Sequence, residues 1–187
     1  MTSITAKITH TKETVESMCI TQYNTFEFGK KIALYIISAI LIVFGMSGQL
    51  STSVSLICIM IGCFMFTSRN AVAKARADSL LKQLGANLPV FNYSFGPTRF
   101  SFNPDTEPVS YSSLSRLTED SDYLYMFLQN HAAFMVQKNT VTGGSVNDLK
   151  ELISRKSGLA WKQPLKLSNI TLKTLTDRGD RFQGPRL

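Results

Sequence analysis

The chain has 187 residues, a net charge of +7, three cysteines and two histidines, and 44% of it is hydrophobic. Three thiols make no disulfide framework, and His10 and His131 have no Cys or acid at ligand spacing, so no staple, metal centre or cofactor is expected. Net charge is +1 over 1–31, +3 over 68–90, −1 over 91–160 and +4 over 161–187; a nucleic-acid partner is excluded because the central folded region is close to neutral.

The leader, 1–29, opens with Ile4 to Thr9, which alternates with period 2 as a short strand does. From Lys12 the apolar positions Val15, Met18, Cys19 and Tyr23 suit a helix with Thr11 as its N-cap, running through Phe26 and Phe28 towards the next segment.

Between Lys31 and Arg69 lie 37 residues without a charged or histidine side chain. At about 1.5 Å per residue this is too long for one crossing of a hydrocarbon core about 30 Å thick and right for two. Polar Ser47 to Ser53 divides the stretch, so 30–68 reads as a transmembrane helical hairpin with helices over about 32–48 and 51–67. A pair of soluble core helices would keep longer polar residues on an outer stripe, and a signal peptide would not follow 31 mostly polar residues that include Glu13, Glu16 and Glu27. Lys30 and Lys31 precede the first helix and Arg69, Lys74 and Arg76 follow the second, whereas the loop between is uncharged. These five residues are the expected membrane-surface contacts, and both termini are expected in the cytoplasm of a protein that crosses the membrane twice. Ser38, Gly45, Ser55, Cys58 and Gly62 would let the two backbones approach. The same small residues would allow pairing between protomers into a homo-oligomer.

A basic connector, 69–88, contains a helix over Asn70 to Leu84 with Gly85 as C-cap, extending the second membrane helix or lying along the surface. Residues 89–158 then read as β structure. Val90 to Phe95 and Thr98 to Phe102 alternate around a Gly96-Pro97 turn, and Asn103 to Asp105 turns the chain again. Strands follow at Val109 to Tyr111, Leu114 to Thr118, Tyr123 to Leu128 and Ala132 to Gln137. Ser145 then caps an amphipathic helix with Val146, Leu149, Leu152 and Ile153 on one face. A sheet this short leaves an edge to be covered, and the strand at Ile4 to Thr9 is placed to cover it. The remainder, 159–187, reads as a basic, partly disordered tail.

A polar leader, an apolar hairpin, a basic connector and a domain containing Tyr111-Ser112-Ser113-Leu114, Asp122 to Leu128, Ala132 to Lys138 and Asp148 to Ile153 resemble the bacterial YcxB-like membrane proteins. The resemblance covers the chain to about residue 156 and implies a pleckstrin-homology-like C-terminal domain and a multi-pass place in the bacterial inner membrane; it implies no reaction. Val141-Thr142-Gly143-Gly144 and the tail beyond Trp161 depart from that pattern. The expected fold is therefore an α+β membrane protein: a two-helix transmembrane hairpin carrying a small cytoplasmic antiparallel β domain, pleckstrin-homology-like and closed by a C-terminal helix.

No constellation for catalysis emerges: Glu119, Asp120 and Asp122 sit in one polar turn, and Ser112, Ser113 and Ser115 lack a nucleophile-elbow context. The expectation is a non-catalytic, membrane-anchored interaction protein whose partners are the lipid bilayer and an unidentified protein. An immunity protein that protects its producer from a membrane-acting or translocated toxin is the alternative. A transporter is disfavoured, since the hairpin has no ionisable residue to line a path.

Overall fold

The computed structural model describes residues 3–85 and 88–164. Over these residues the chain is a mixed α+β protein with five α-helices and two four-stranded sheets. The tail after Pro164, including the apolar positions Leu165 to Leu175, lies outside the described residues.

The first sheet joins β1 (Ile4–Thr9), β2 (Val90–Phe95), β3 (Arg99–Phe102) and β4 (Val109–Ser110), in that order and all antiparallel. β1 covers β2 along its whole length, from Ile4 opposite Phe95 to Thr9 opposite Val90. That register turns Ala6 and Ile8 inward with Tyr93, Phe95 and Phe100, as the period-2 alternation requires.

In the second sheet the order is β7 (Ala133–Gln137), β6 (Tyr123–Leu128), β5 (Leu114–Glu119) and β8 (Trp161–Lys162), with β8 parallel to β5. Residues expected to begin the tail thus complete a sheet. Trp161 is fixed there by its indole N–H, which donates to the Lys150 carbonyl at 3.0 Å. Tyr111 turns out to open a 3-10 turn, Tyr111–Ser113, in place of the third residue of a strand. The turn is closed by Ser110, whose side chain accepts from the Ser112 amide at 3.3 Å.

The two sheets enclose one core and meet at a corner. The Thr5 and Thr142 main chains exchange hydrogen bonds of 2.9 and 2.8 Å, and the Thr140 hydroxyl donates to the Lys7 carbonyl at 2.6 Å. Gly143 makes this junction possible: its φ is +78°, and a Cβ there would lie 2.5 Å from the Ser3 carbonyl oxygen. The Val141-Thr142-Gly143-Gly144 spacer is therefore where β1 is received. Phe134 bridges the sheets, its ring edge-on to Tyr93 and Phe100.

Helix α5 (Val146–Ser157) closes the core with Leu149 and Ile153, both fully buried. A capping box between Ser145 and Asp148 starts it, and Gly158 in the left-handed conformation ends it.

The remaining helices are α1 (Lys12–Phe26), α2 (Phe28–Met46), α3 (Thr52–Thr67) and α4 (Ala71–Leu84). Thr11 caps α1 through a reciprocal box with Thr14. α2 begins earlier than its apolar run, so Lys30 and Lys31 fall inside its first turn and not before it. The chain bends by 52° between α3 and α4. That bend turns α4 onto α1, where Val15, Cys19 and Ala77 are buried with Leu81 beside them; α4 is thus half of a helix pair and neither a straight extension nor a lone surface helix.

Candidate functional site

α2 and α3 form an antiparallel pair whose contact is built from small residues. A Cβ on Gly62 would lie 3.0 Å from the Ser38 carbonyl oxygen, and one on Gly45 would lie 2.9 Å from that of Ser55. The Ser38 hydroxyl, fully buried, donates to the Gly62 carbonyl at 2.6 Å. Other hydroxyls turn back on their own helices: Ser47 donates to Phe44 O at 2.7 Å and Thr67 to Phe64 O at 3.0 Å.

Ile42 and Ile59 pack against these glycines, and most of the other large side chains face out. Val43 is 69% exposed, Met46 73%, Met60 68% and Phe64 70%, with Ile36, Ile40, Leu56, Ile57 and Phe66 also exposed. Exposed apolar side chains in this number on two helices are of the kind found where a protein meets another protein or a lipid. By length and composition α2 could cross a membrane; α3, at 16 residues, meets the same measure only together with α4.

At the base of the pair sit the five basic residues expected there, and the structure divides them. Lys30 and Arg76 both bind Glu27, the residue between α1 and α2, with Lys30 Nζ 2.8 Å from its Oε2. Arg76 first, and Lys30 after it, hold the Glu27 carboxyl down at about 2. Lys74 pairs with Glu16 of α1 at 2.9 Å. These three cations share two carboxylates of the leader, so each is engaged and a net charge of +1 is left among them.

Lys31 and Arg69 differ from them. Lys31 is buried and its ammonium donates to two neutral oxygens, Asn24 Oδ1 at 2.8 Å and Asn70 Oδ1 at 3.0 Å. Arg69 is exposed at the bend and reaches the Tyr35 hydroxyl at 3.4 Å. Among the described residues neither has an acidic partner, and their like charges act on each other. Sequence reasoning grouped all five basic residues; it missed Glu16, Asn24, Glu27 and Asn70. No local spacing could reveal a Glu27–Arg76 pair 49 positions apart.

α1 ties this base to the sheets. Arg116 donates to the Thr25 carbonyl at 2.6 Å and stands 4.8 Å over the Phe26 ring, which also stacks on His131 and meets Phe127 edge-on. Gln22 donates to the His131 carbonyl at 2.9 Å.

Side chains screened above for catalysis are all structurally occupied. Asp120 accepts from the amides of Asp122 and Tyr123 and from the Tyr125 hydroxyl at 2.7 Å. Burial raises the Tyr125 phenol, with the Asp120 carboxylate adding to the effect. Burial pushes the Glu119 carboxyl up, but Lys150 at 2.6 Å and Lys138 at 2.9 Å outweigh it and leave the group below its ordinary value. Among the described residues no three His, Cys, Asp or Glu side chains converge as metal ligands would. An open groove between α1 and α4 is lined by Cys19, Gln22, Val72, Arg76, Ser79 and Leu80, without a carboxylate or imidazole. Cys19, Cys58 and Cys63 are free thiols.

Compared with protein-family models, with curated proteins and with solved structures, the chain matches none.

Proposed function

We propose that this is a membrane-anchored, non-catalytic interaction protein of the bacterial inner membrane. The α2–α3 pair spans the bilayer as a hairpin, and the two sheets with α5 form a pleckstrin-homology-like cytoplasmic domain that binds a protein partner. One observation carries the reading: the hairpin hides its small and polar groups and turns its largest apolar side chains outward. In water that arrangement exposes the wrong surface; in hydrocarbon it is the arrangement expected of packed helices. The uncharged α2–α3 turn and the basic residues at the opposite end support cytoplasmic termini.

α3 spans only about 24 Å, short of the hydrocarbon thickness, and polar Ser51 and Ser68 bound it at its two ends. Local thinning of the bilayer accommodates this at modest cost.

Fractionation of cells expressing the full chain tests the proposal. The protein is expected in the membrane pellet after alkaline carbonate washing, with a reporter fused at Leu187 active in the cytoplasm. Release by carbonate, or a reporter active outside, overturns it. Crosslinking in mild detergent then identifies the partner; recovery of a toxin would favour the immunity reading.

A further inference from the structure

We infer that Lys31 and Arg69, with Tyr35 and Asn70 beside them, form a site for one phosphate oxyanion at the cytoplasmic end of the hairpin, filled by the headgroup of an anionic phospholipid. The inference rests on the membrane reading above and adds to it a defined ligand and place.

Basic residues at a membrane edge usually act as a diffuse field. Here Lys30 and Arg76 share Glu27 and Lys74 has Glu16, so each of the three is engaged by a carboxylate and their summed charge falls to +1. Of the five, Lys31 and Arg69 are the two that no carboxylate engages among the described residues. The Lys31 ammonium is held by Asn24 and Asn70, whose amide oxygens supply hydrogen bonds and no net charge. A buried cation with only neutral partners is costly unless an anion comes near. Arg69 adds a second positive charge on the residue preceding Asn70, and the two cations repel. An anion placed against Arg69 would relieve both.

The geometry divides the labour. Arg69 is exposed and has five N–H groups, of which one reaches Tyr35, so it can present a fork to a phosphate. Lys31 is too buried to reach out and supplies charge from behind. The 52° bend sets Arg69 where the apolar helix ends, at headgroup depth if α3 crosses the bilayer. A lipid phosphate is favoured over a dissolved one because the neighbouring α2 and α3 surfaces receive acyl chains.

The full-length protein in nanodiscs of phosphatidylcholine containing a minor share of phosphatidylglycerol provides the test, with bound lipid counted by native mass spectrometry. Wild type is expected to retain phosphatidylglycerol in preference. Removing a charge by Arg69→Gln should lower that preference by about fivefold, and Arg69→Lys should restore part of it. Arg76→Gln should change it less, since the Arg76 guanidinium is already bound to the Glu27 carboxylate. A preference unchanged in Arg69→Gln, or lowered equally in Arg76→Gln, overturns the site. Lys31→Met is the stricter variant, and Arg69→Gln decides the matter should Lys31→Met fail to fold. Inorganic phosphate added to the nanodiscs distinguishes the sources: phosphatidylglycerol retained at millimolar phosphate supports the lipid, and its displacement assigns the site to a dissolved anion and overturns the lipid assignment. Carbonate resistance of Arg69→Gln separates loss of this site from failure of the membrane reading.

Discussion

A methyl group added at Gly62 has no room. Its Cβ would stand 2.7 Å from Ile42 Cγ1, 3.0 Å from the Ser38 carbonyl oxygen and 3.3 Å from the Ile42 amide nitrogen, and two of these atoms are backbone. Gly62→Val must therefore push α3 off α2 and break the Ser38 hydrogen bond. The expected cost is about 1–3 kcal/mol, the usual range for overpacking. Gly29 provides the control, because nothing lies within 4 Å of a Cβ there; Gly29→Ala should be neutral or slightly stabilising. Thermal unfolding in detergent, followed by circular dichroism, checks both, and a wild-type midpoint for Gly62→Val would mean the helices do not touch at this position. A second residue governs acid sensitivity. The Glu27 carboxyl is held at about 2, below its ordinary 4.5, by Arg76 and Lys30. A lowered folded-state value stabilises fully above the ordinary one and is lost as pH falls through the folded one. Glu27→Gln should accordingly lower the midpoint at neutral pH, and the gap from wild type should close between pH 4.5 and 2. The partners are 45% and 74% exposed, so the gap should be about 1 kcal/mol or less. A gap that stays constant over that window would show that the Glu27 charge contributes nothing.

β1 is the element on which the sheets depend most. Without it the edge of β2 is bare, the core loses Ile8 and Ala6, and the Thr5–Thr142 junction has no partner. Ile8→Ala should destabilise the fold by about 2–5 kcal/mol, as truncation of a fully buried isoleucine does. Deletion of residues 1–10 should go further and open the sheet domain to limited proteolysis; unchanged protease resistance would count against β1 as a structural strand. This element was legible before the structure. Ile4 to Thr9 alternates cleanly, and Thr11, Ser145 and Gly85 are the residue types that begin and end helices, so each local signal agreed with its surroundings. β6 was legible for a different reason: Leu124, Tyr125, Met126 and Phe127 are all buried, since one face looks into the core and the other meets α1, and a strand covered on both faces reads as a continuous apolar run. β8 was not legible, because two residues carry no period and its partner β5 lies over 40 positions away. The division among the five basic residues was hidden for the same reason. Lys31 and Arg76 look alike in sequence, and only the fold gives one an asparagine pair and the other a glutamate.

At the scale of the whole molecule, α1 decides whether the hairpin and the sheets behave as one body. One end of α1 enters α2 at Glu27, its side packs on α4, and its last turn docks on β6 through Phe26. Around Phe26 gather Phe127 at 5.2 Å, His131 at 4.1 Å and the Arg116 guanidinium at 4.8 Å, while Arg116 also donates to the Thr25 carbonyl. Aromatic and cation–π contacts contribute about 0.5–1.5 kcal/mol each beyond burial, so the cluster rivals a sizeable core side chain. With the clamp intact, heating in detergent should unfold hairpin base and sheets together. Phe26→Ala combined with Arg116→Ala removes the clamp and leaves the strand pairings and the α2–α3 contact untouched. The double variant should therefore unfold in two separated steps, the sheets first by tryptophan fluorescence, since Trp161 is the chain's single tryptophan and lies in β8, and the helices later by circular dichroism. Two steps already present in wild type would mean that α1 does not couple the parts. A single step in the double variant, merely at lower temperature, would place the coupling in the remaining contacts, Ser17 with Tyr125 at 3.0 Å and Gln22 with His131 at 2.9 Å, and would make the polar side of α1, not its aromatic end, the joint between the helix pair and the sheets.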